Sequence, residues 1–201
     1  MSLEEIIAAF SLDRVSKKSA VFDTKKLEWL NMQYFKRRSP DEIAKMALPY
    51  FKEFGISPDA VDPSRLEEVV KLLGERFRTL LELADKAHYF FTDAPKIDPK
   101  AFRKHIQKEN AAAILEEVIA RLEPLKEFDQ ESIEREIRAV IAARGVKPGE
   151  VIQPVRVAIS GRMETPGIFE TMALVGKEKA LDRMKKAPHM TVGDAGSDGT
   201  Q

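Results

Sequence analysis

Apolar positions recur at helical spacing along nearly the whole chain. From Asp23 to Arg38, Leu27, Leu30 and Tyr34 fall on one face. Asp23 is placed to cap the start, and Lys36, Arg37 and Arg38 sit at the end, where the negative helix pole favours cations. Ser39-Pro40-Asp41-Glu42 has capping-box spacing with Pro at the first helical position, and Ile43, Ala47, Tyr50, Phe51 and Phe54 continue a stripe that Gly55 ends. Pro49 predicts a kink there, because its ring displaces the preceding turn. Ser64 to Glu67 repeats the box. Behind it Leu66, Val69, Val70, Leu73, Phe77, Leu80 and Leu81 form the clearest helical face, which predicts one helix through all of them and puts Arg76 just off its apolar stripe.

The second half reads similarly. Asp98-Pro99 opens a helix carrying Phe102 and Ile106. Ile114, Leu115, Val118, Ile119 and Leu122 follow, stopped by Pro124, and then Ile133, Ile137, Val140 and Ile141, closed by Gly145. Lys147-Pro148-Gly149-Glu150 reads as a tight turn. Val151 to Ile159 is ambiguous: Val155, Val157 and Ile159 alternate as in a strand, whereas Val155, Ala158 and Ile159 suit a helix. Thr165-Pro166 predicts a cap and first-turn proline for a helix over Ile168, Phe169, Met172 and Ala173, ended by Gly176, and Leu181 and Met184 suit one more. The pattern breaks between Thr92 and Asp98. The expected architecture is all-α, in two helical subdomains of residues 1–95 and 96–187, with a polar, Gly-rich disordered tail over 188–201.

Composition narrows the functional classes. With 43% apolar residues in 201 the chain can bury a core, so disorder of its body is excluded. Lys plus Arg and Asp plus Glu both number 33, so any polyanion must be met by a local cluster of cations and not by a basic excess. The absence of cysteine excludes disulfides, thiolate metal sites and cysteine nucleophiles. No apolar run approaches the roughly 20 residues of a membrane span, and Met1-Ser2-Leu3-Glu4-Glu5 lacks the basic start of a signal peptide, which points to the cytoplasm.

Candidate chemistry is sparse. His88, His105 and His189 form no metal-binding pair, and no Glu-x-x-His pattern recurs, so no metal is expected. Phosphate-loop and nucleophile-elbow motifs are absent, and nothing in the pattern argues for catalysis by this chain. Cations cluster at Lys17-Lys18, Lys25-Lys26, Lys36-Arg37-Arg38, Arg76 with Arg78, Arg103-Lys104 and Lys185-Lys186, and Trp29, Tyr34 and Phe35 lie beside two of these clusters. Most such clusters are solvated helix faces, although aromatics interleaved with cations can also stack bases.

Three stretches together resemble one family. The first is Phe22-Asp23-Thr24-Lys25-Lys26-Leu27-Glu28-Trp29-Leu30-Asn31 with Tyr34, preceded by Phe10-Ser11-Leu12-Asp13-Arg14-Val15-Ser16. The second is Arg76-Phe77-Arg78-Thr79-Leu80 with Lys86-Ala87-His88-Tyr89-Phe90-Phe91. The third runs through Gly145-Val146-Lys147-Pro148-Gly149, Gln153 to Gly161, Thr165-Pro166-Gly167-Ile168-Phe169-Glu170 and Gly176-Lys177-Glu178. In this order and spacing, over about residues 10 to 186, the chain resembles the C-terminal, anticodon-binding part of bacterial-type glutamyl-tRNA synthetases.

The resemblance implies a helix cage or superhelix that binds the anticodon of tRNA(Glu), with Val155 to Ile159 helical. The family's catalytic motifs, of the His-Ile-Gly-His and Lys-Met-Ser-Lys-Ser types, do not occur here. The chain is therefore expected to be a non-catalytic piece of a glutamate–tRNA ligase, with no cofactor of its own. ATP and magnesium would serve the full-length enzyme, and the partners would be tRNA(Glu) and the catalytic domain of the same polypeptide, not DNA or membrane. Carried over from the family motif, Arg156, Thr165, Pro166, Gly167 and Ile168 are expected at the anticodon, and Lys25, Lys36 and Arg37 at the stem or backbone. The position of Arg76 is linked in the family to choosing glutamate over glutamine tRNA. The alternatives are a stand-alone helical protein-interaction module and a glutaminyl-specific or mischarging relative.

Overall fold

A computed structural model describes residues 3–14 and 21–190, and the described residues fold into α-helices joined by 3-10 and π turns. Lys17-Lys18 and the tail from residue 191 lie outside them. The elements are α1 (Leu3–Ala9), α2 (Thr24–Phe35), α3 (Pro40–Ala47), α4 (Pro63–Leu73), α5 (Leu80–Ala87), α6 (Pro99–Ala101), α7 (Ala111–Leu122), α8 (Gln130–Arg144), α9 (Pro148–Ser160), α10 (Ile168–Val175) and α11 (Lys177–Lys186).

Local chemistry sets most boundaries. Asp23 accepts from the Lys26 amide at 3.2 Å and starts α2. Ser39 and Glu42 close a reciprocal capping box on α3. Asp98 accepts from the Ala101 amide at 2.7 Å, and Asp129 from that of Ser132 at 2.8 Å, opening α6 and α8. Past Ala47 the chain tightens into a 3-10 stretch, Leu48–Phe54, which is the form the Pro49 disruption takes. Val151 to Ile159 lies within α9. The supposed turn at 147–150 is the first turn of that helix: Pro148 stands at its first position and the Glu150 carboxylate accepts from the Lys147 amide at 3.2 Å.

Other expectations fail for identifiable reasons. Asp62, not Ser64, caps α4, accepting from the Ser64 amide at 3.0 Å with Pro63 next in line. The long helix through Leu81 is two. Gly74, at φ 54° and ψ −126°, ends α4, and Thr79 caps α5 by accepting from the Glu82 amide at 3.1 Å. Arg76 therefore sits in the break between helices and not on a helix. Thr165 caps nothing; α10 begins after Gly167. Along α2 the Leu27, Leu30 and Tyr34 stripe is exposed, and Met32 is the residue that is buried. Pro188 and His189 close a 3-10 turn, and Met190 still packs on the core.

One apolar cluster runs from Ile43 to Ala187. α3 packs on α4 and α5, α7 on α8, α9 and α11, and α10 bridges the halves by touching both α4 and α8. Arg65 of α4 donates to the Leu174 and Val175 carbonyls at the end of α10. The helix-free segment from Phe91 to Asp98 is drawn into this core, with Ile97 buried and the Asp98 amide donating to Gly161 O at 2.8 Å. Gly161 has φ 75°, and a Cβ there would run into the Lys96 carbonyl, so only glycine permits this approach.

Arg183 on α11 ties the same region together from inside. It is 3% exposed, and its guanidinium donates to the carbonyls of Tyr89, Thr92, Asp93 and Ile159 at 2.6 to 3.2 Å. Burial lowers its pKa to about 10, so it stays cationic at neutral pH among the carbonyls that satisfy it.

Candidate nucleic-acid interface

Where the Phe91–Asp98 segment crosses the ends of α5 and α9, a groove of about 1380 Å³ opens. Its walls bring together residues from Phe54 to Pro166, including Arg76, Arg156, Thr165 and Pro166. Six cationic side chains line it (Arg76, Lys86, Lys96, Lys104, Arg156 and Arg162) against the three carboxylates of Asp85, Asp98 and Glu164. A chain with zero formal net charge thus presents a locally positive concavity.

The arginines are held in place. Nη1 of Arg76 donates to the Leu72 and Leu73 carbonyls at 3.2 and 3.3 Å, the unsatisfied, partly negative end of α4. That anchor leaves the Nε–Nη2 edge, two donors side by side, with no protein partner among the described residues. Arg156 projects from α9, and its Nε donates to Thr165 Oγ1 at 3.1 Å while that hydroxyl donates to the Pro166 carbonyl at 2.8 Å. Burial lowers the Arg156 pKa without neutralising it at ordinary pH.

A second pair braces the wall. Arg162 makes a bidentate contact with Asp85, at 2.8 and 2.6 Å. The Arg162 hydrogen bonds hold the Asp85 carboxyl below the usual carboxylate range. One turn on, the His88 ring stacks on Phe54 with centroids 4.9 Å apart, and its Nδ1–H donates to the Asp85 carbonyl at 2.7 Å. Burial pushes the His88 pKa down. Gln153 also lines the groove, and its Oε1 is buried without a hydrogen-bond partner among the described residues.

Among the expected site residues, Arg76, Arg156, Thr165 and Pro166 are gathered here. Gly167 stands just behind as the start of α10, and Ile168 is 3% exposed in the core, so its side chain offers the groove no apolar surface. Lys25, Lys36 and Arg37 lie on or after α2 and do not line the groove; Lys36 pairs with Glu75 at 3.1 Å. Sequence reasoning missed Gln153, Lys104 and the Asp85–Arg162 brace. The brace joins positions 77 residues apart and left no local signal, whereas Arg103-Lys104 was visible as a cluster with nothing to place it.

A locally positive groove of anchored arginines within an all-helical frame has the charge that nucleic-acid-recognition surfaces carry. The chain belongs to the anticodon-binding domain family, whose model matches residues 42–188. It is similar to the glutamate–tRNA ligase of Moorella thermoacetica, 42% identical over 188 residues, which is 92% of this chain and 38% of that protein. A glutamate–tRNA ligase of Thermus thermophilus is 40% identical over 187 residues, covering 92% and 39%. Among solved structures, a glutamate tRNA ligase from Elizabethkingia meningosepticum in complex with its amino acid superposes with a TM-score of 0.76 at 26% identity, covering 94% of this chain and 37% of that one. The chain thus spans roughly two fifths of the length of the relatives it matches. Among the described residues no helix is long and apolar enough to cross a membrane, and no cluster of metal-ligating side chains occurs.

Proposed function

We propose that this chain is the tRNA-reading part of a cytoplasmic glutamate–tRNA ligase and that the groove receives the anticodon of tRNA(Glu). In this reading glutamate activation, with its ATP and magnesium, belongs to the catalytic domain of the longer polypeptide. The stretch 1–95 forms the stem-contacting and first anticodon-binding unit, and 96–187 the second. The observation that carries the reading is the convergence of Arg76, Arg156, Thr165 and Pro166 on one locally positive groove.

The geometry of Arg76 suggests how one base is chosen. Glutamate anticodons end in C and glutamine anticodons in G. An unpaired cytosine offers adjacent acceptors, O2 and N3, to the open two-donor Nε–Nη2 edge. Guanine presents N1–H and an amino group there, which would leave two sets of donors facing each other. A good bidentate contact discriminates by about 1–3 kcal/mol on the analogous DNA scale, or roughly 5- to 150-fold. Arg156 and Thr165 contact a neighbouring base or phosphate. Lys25, Lys36 and Arg37 contact backbone phosphates; the exposed Lys36–Glu75 pair is weak enough to exchange for one.

The test is a binding titration with two tRNA transcripts that differ only at the third anticodon base. The wild-type chain should prefer C over G, and Arg76→Gln should narrow the ratio, because an amide can turn either donor or acceptor toward the base. Equal wild-type affinities, or an unchanged ratio in the variant, would refute the assignment. Salt-insensitive or absent tRNA binding would favour a protein-interaction module instead.

A further inference from the structure

We propose that Arg103, Lys104 and Lys108, carried on and just after a π turn, form a phosphate-binding strip that guides the RNA backbone along the margin of the anticodon groove. The proposal rests on the groove being the RNA site. Beyond α6 the chain makes a π turn over Phe102–Ile106, closed by the Gln107 amide donating to the Phe102 carbonyl at 3.0 Å. Phe102 and Ile106 are 1% and 4% exposed and anchor the turn in the core, while Arg103, Lys104 and then Lys108 stand in solvent.

Several cations elsewhere are held by carboxylates, as Lys45 is by Asp41, Lys71 by Glu67, Lys185 by Glu123 and Lys186 by Asp182. Among the described residues neither Arg103, Lys104 nor Lys108 has a carboxylate within ion-pair distance. His105, between them, has its pKa lowered by burial and then by Lys104 and Lys108.

Position supplies the direction. Lys104 and His105 line the large groove, and His105 and Lys108 line a second cavity of about 540 Å³ between the starts of α7 and α9. Glu109 and Glu150 also line that cavity, so a phosphate is kept on the Lys104–Lys108 rim and out of its interior. A strand whose bases enter the groove passes Lys104 at its edge and Lys108 at the neighbouring cavity, and phosphate contacts fix register without reading sequence.

The experiment compares wild type with Arg103→Gln/Lys104→Gln/Lys108→Gln, using a glutamate-tRNA transcript over a series of salt concentrations. Lys185→Gln/Lys186→Gln is the charge-removal control. Each lost phosphate contact should lower the steepness of the log affinity against log salt plot by about 0.7 to 0.9. The triple variant should therefore flatten it by about 2 to 3 and weaken low-salt binding at least tenfold. Its preference for C over G at the third anticodon base should be unchanged. Alkylation protection of phosphates in the anticodon loop should be lost in the triple variant only. A wild-type slope and protection pattern in the triple variant would overturn the strip while leaving the anticodon reading intact, and so would an equal slope change in the control. Absence of tRNA binding by the wild type would overturn both.

Discussion

At the scale of single residues the structure depends on cations whose partners are backbone carbonyls. Arg183 is the clearest case. Removing it leaves four inward-facing carbonyls without their donor, in a region where hydrogen bonds to a charged group each contribute about 1.5–3 kcal/mol. Arg183→Met, which keeps much of the apolar stem, should still destabilise the fold by about 3–5 kcal/mol, measured by urea unfolding. A change below about 1 kcal/mol would show that those carbonyls find other donors. His88 acts in the opposite sense. Its folded pKa lies below the usual 6.5, so on acidification the unfolded chain takes up the proton first. The stabilisation is complete above 6.5 and is lost as pH falls from 6.5 toward the lowered folded value. His88→Phe, which keeps the ring against Phe54, should make stability less dependent on pH across that window. The shift of His105, in the same direction, leaves a residual slope.

At the scale of elements the decisive feature is the break between α4 and α5. It places Arg76 beyond the carbonyl end of α4 and turns its free guanidinium edge to the groove. The apolar spacing Leu73, Phe77, Leu80 runs through the break without interruption, because Phe77 is buried in the same core although it is not helical. Periodicity alone therefore predicts one helix, and the local signs against it are Gly74 and the capping spacing of Thr79 and Glu82. Gly74 has space for a Cβ, so the cost of a side chain there is backbone strain alone. Gly74→Ala should lose about 1–3 kcal/mol, and Thr79→Ala, which removes the α5 cap, about 1 kcal/mol. Thermal melts check both. If Gly74→Ala were neutral, the break would not need its left-handed glycine.

At the scale of the whole molecule the distribution of apolar surface is uneven. The core from Ile43 to Ala187 is closed, whereas Val21, Phe22, Leu27, Trp29, Leu30 and Tyr34 are exposed, Trp29 by 60%. This leaves an apolar face on and just before α2. Trp29 is the sole tryptophan and reports on it directly. The chain by itself should emit as a solvent-exposed indole, with little shift in its maximum on denaturation. A native emission strongly blue of the denatured one would mean that this face is covered, by folding back or by self-association.

The sequence by itself determined the all-helical class, the places where most helices start and stop, and, through three ordered motifs, the family. These are local matters: a capping side chain bonds an amide two or three residues away, as Asp98 does at Ala101, and a stripe repeats within one helix. What only the tertiary structure decided depends on residues distant in the chain. The groove takes its walls from Phe54 to Pro166, the Asp85–Arg162 brace spans 77 residues, and Arg183 reaches carbonyls up to 94 positions away. The sequence lists the cations without their partners. Folding pairs Lys45, Arg144 and Lys185 with Asp41, Glu117 and Glu123 and leaves Lys104 unpaired in the groove wall, and unpaired charge is what an incoming phosphate can use.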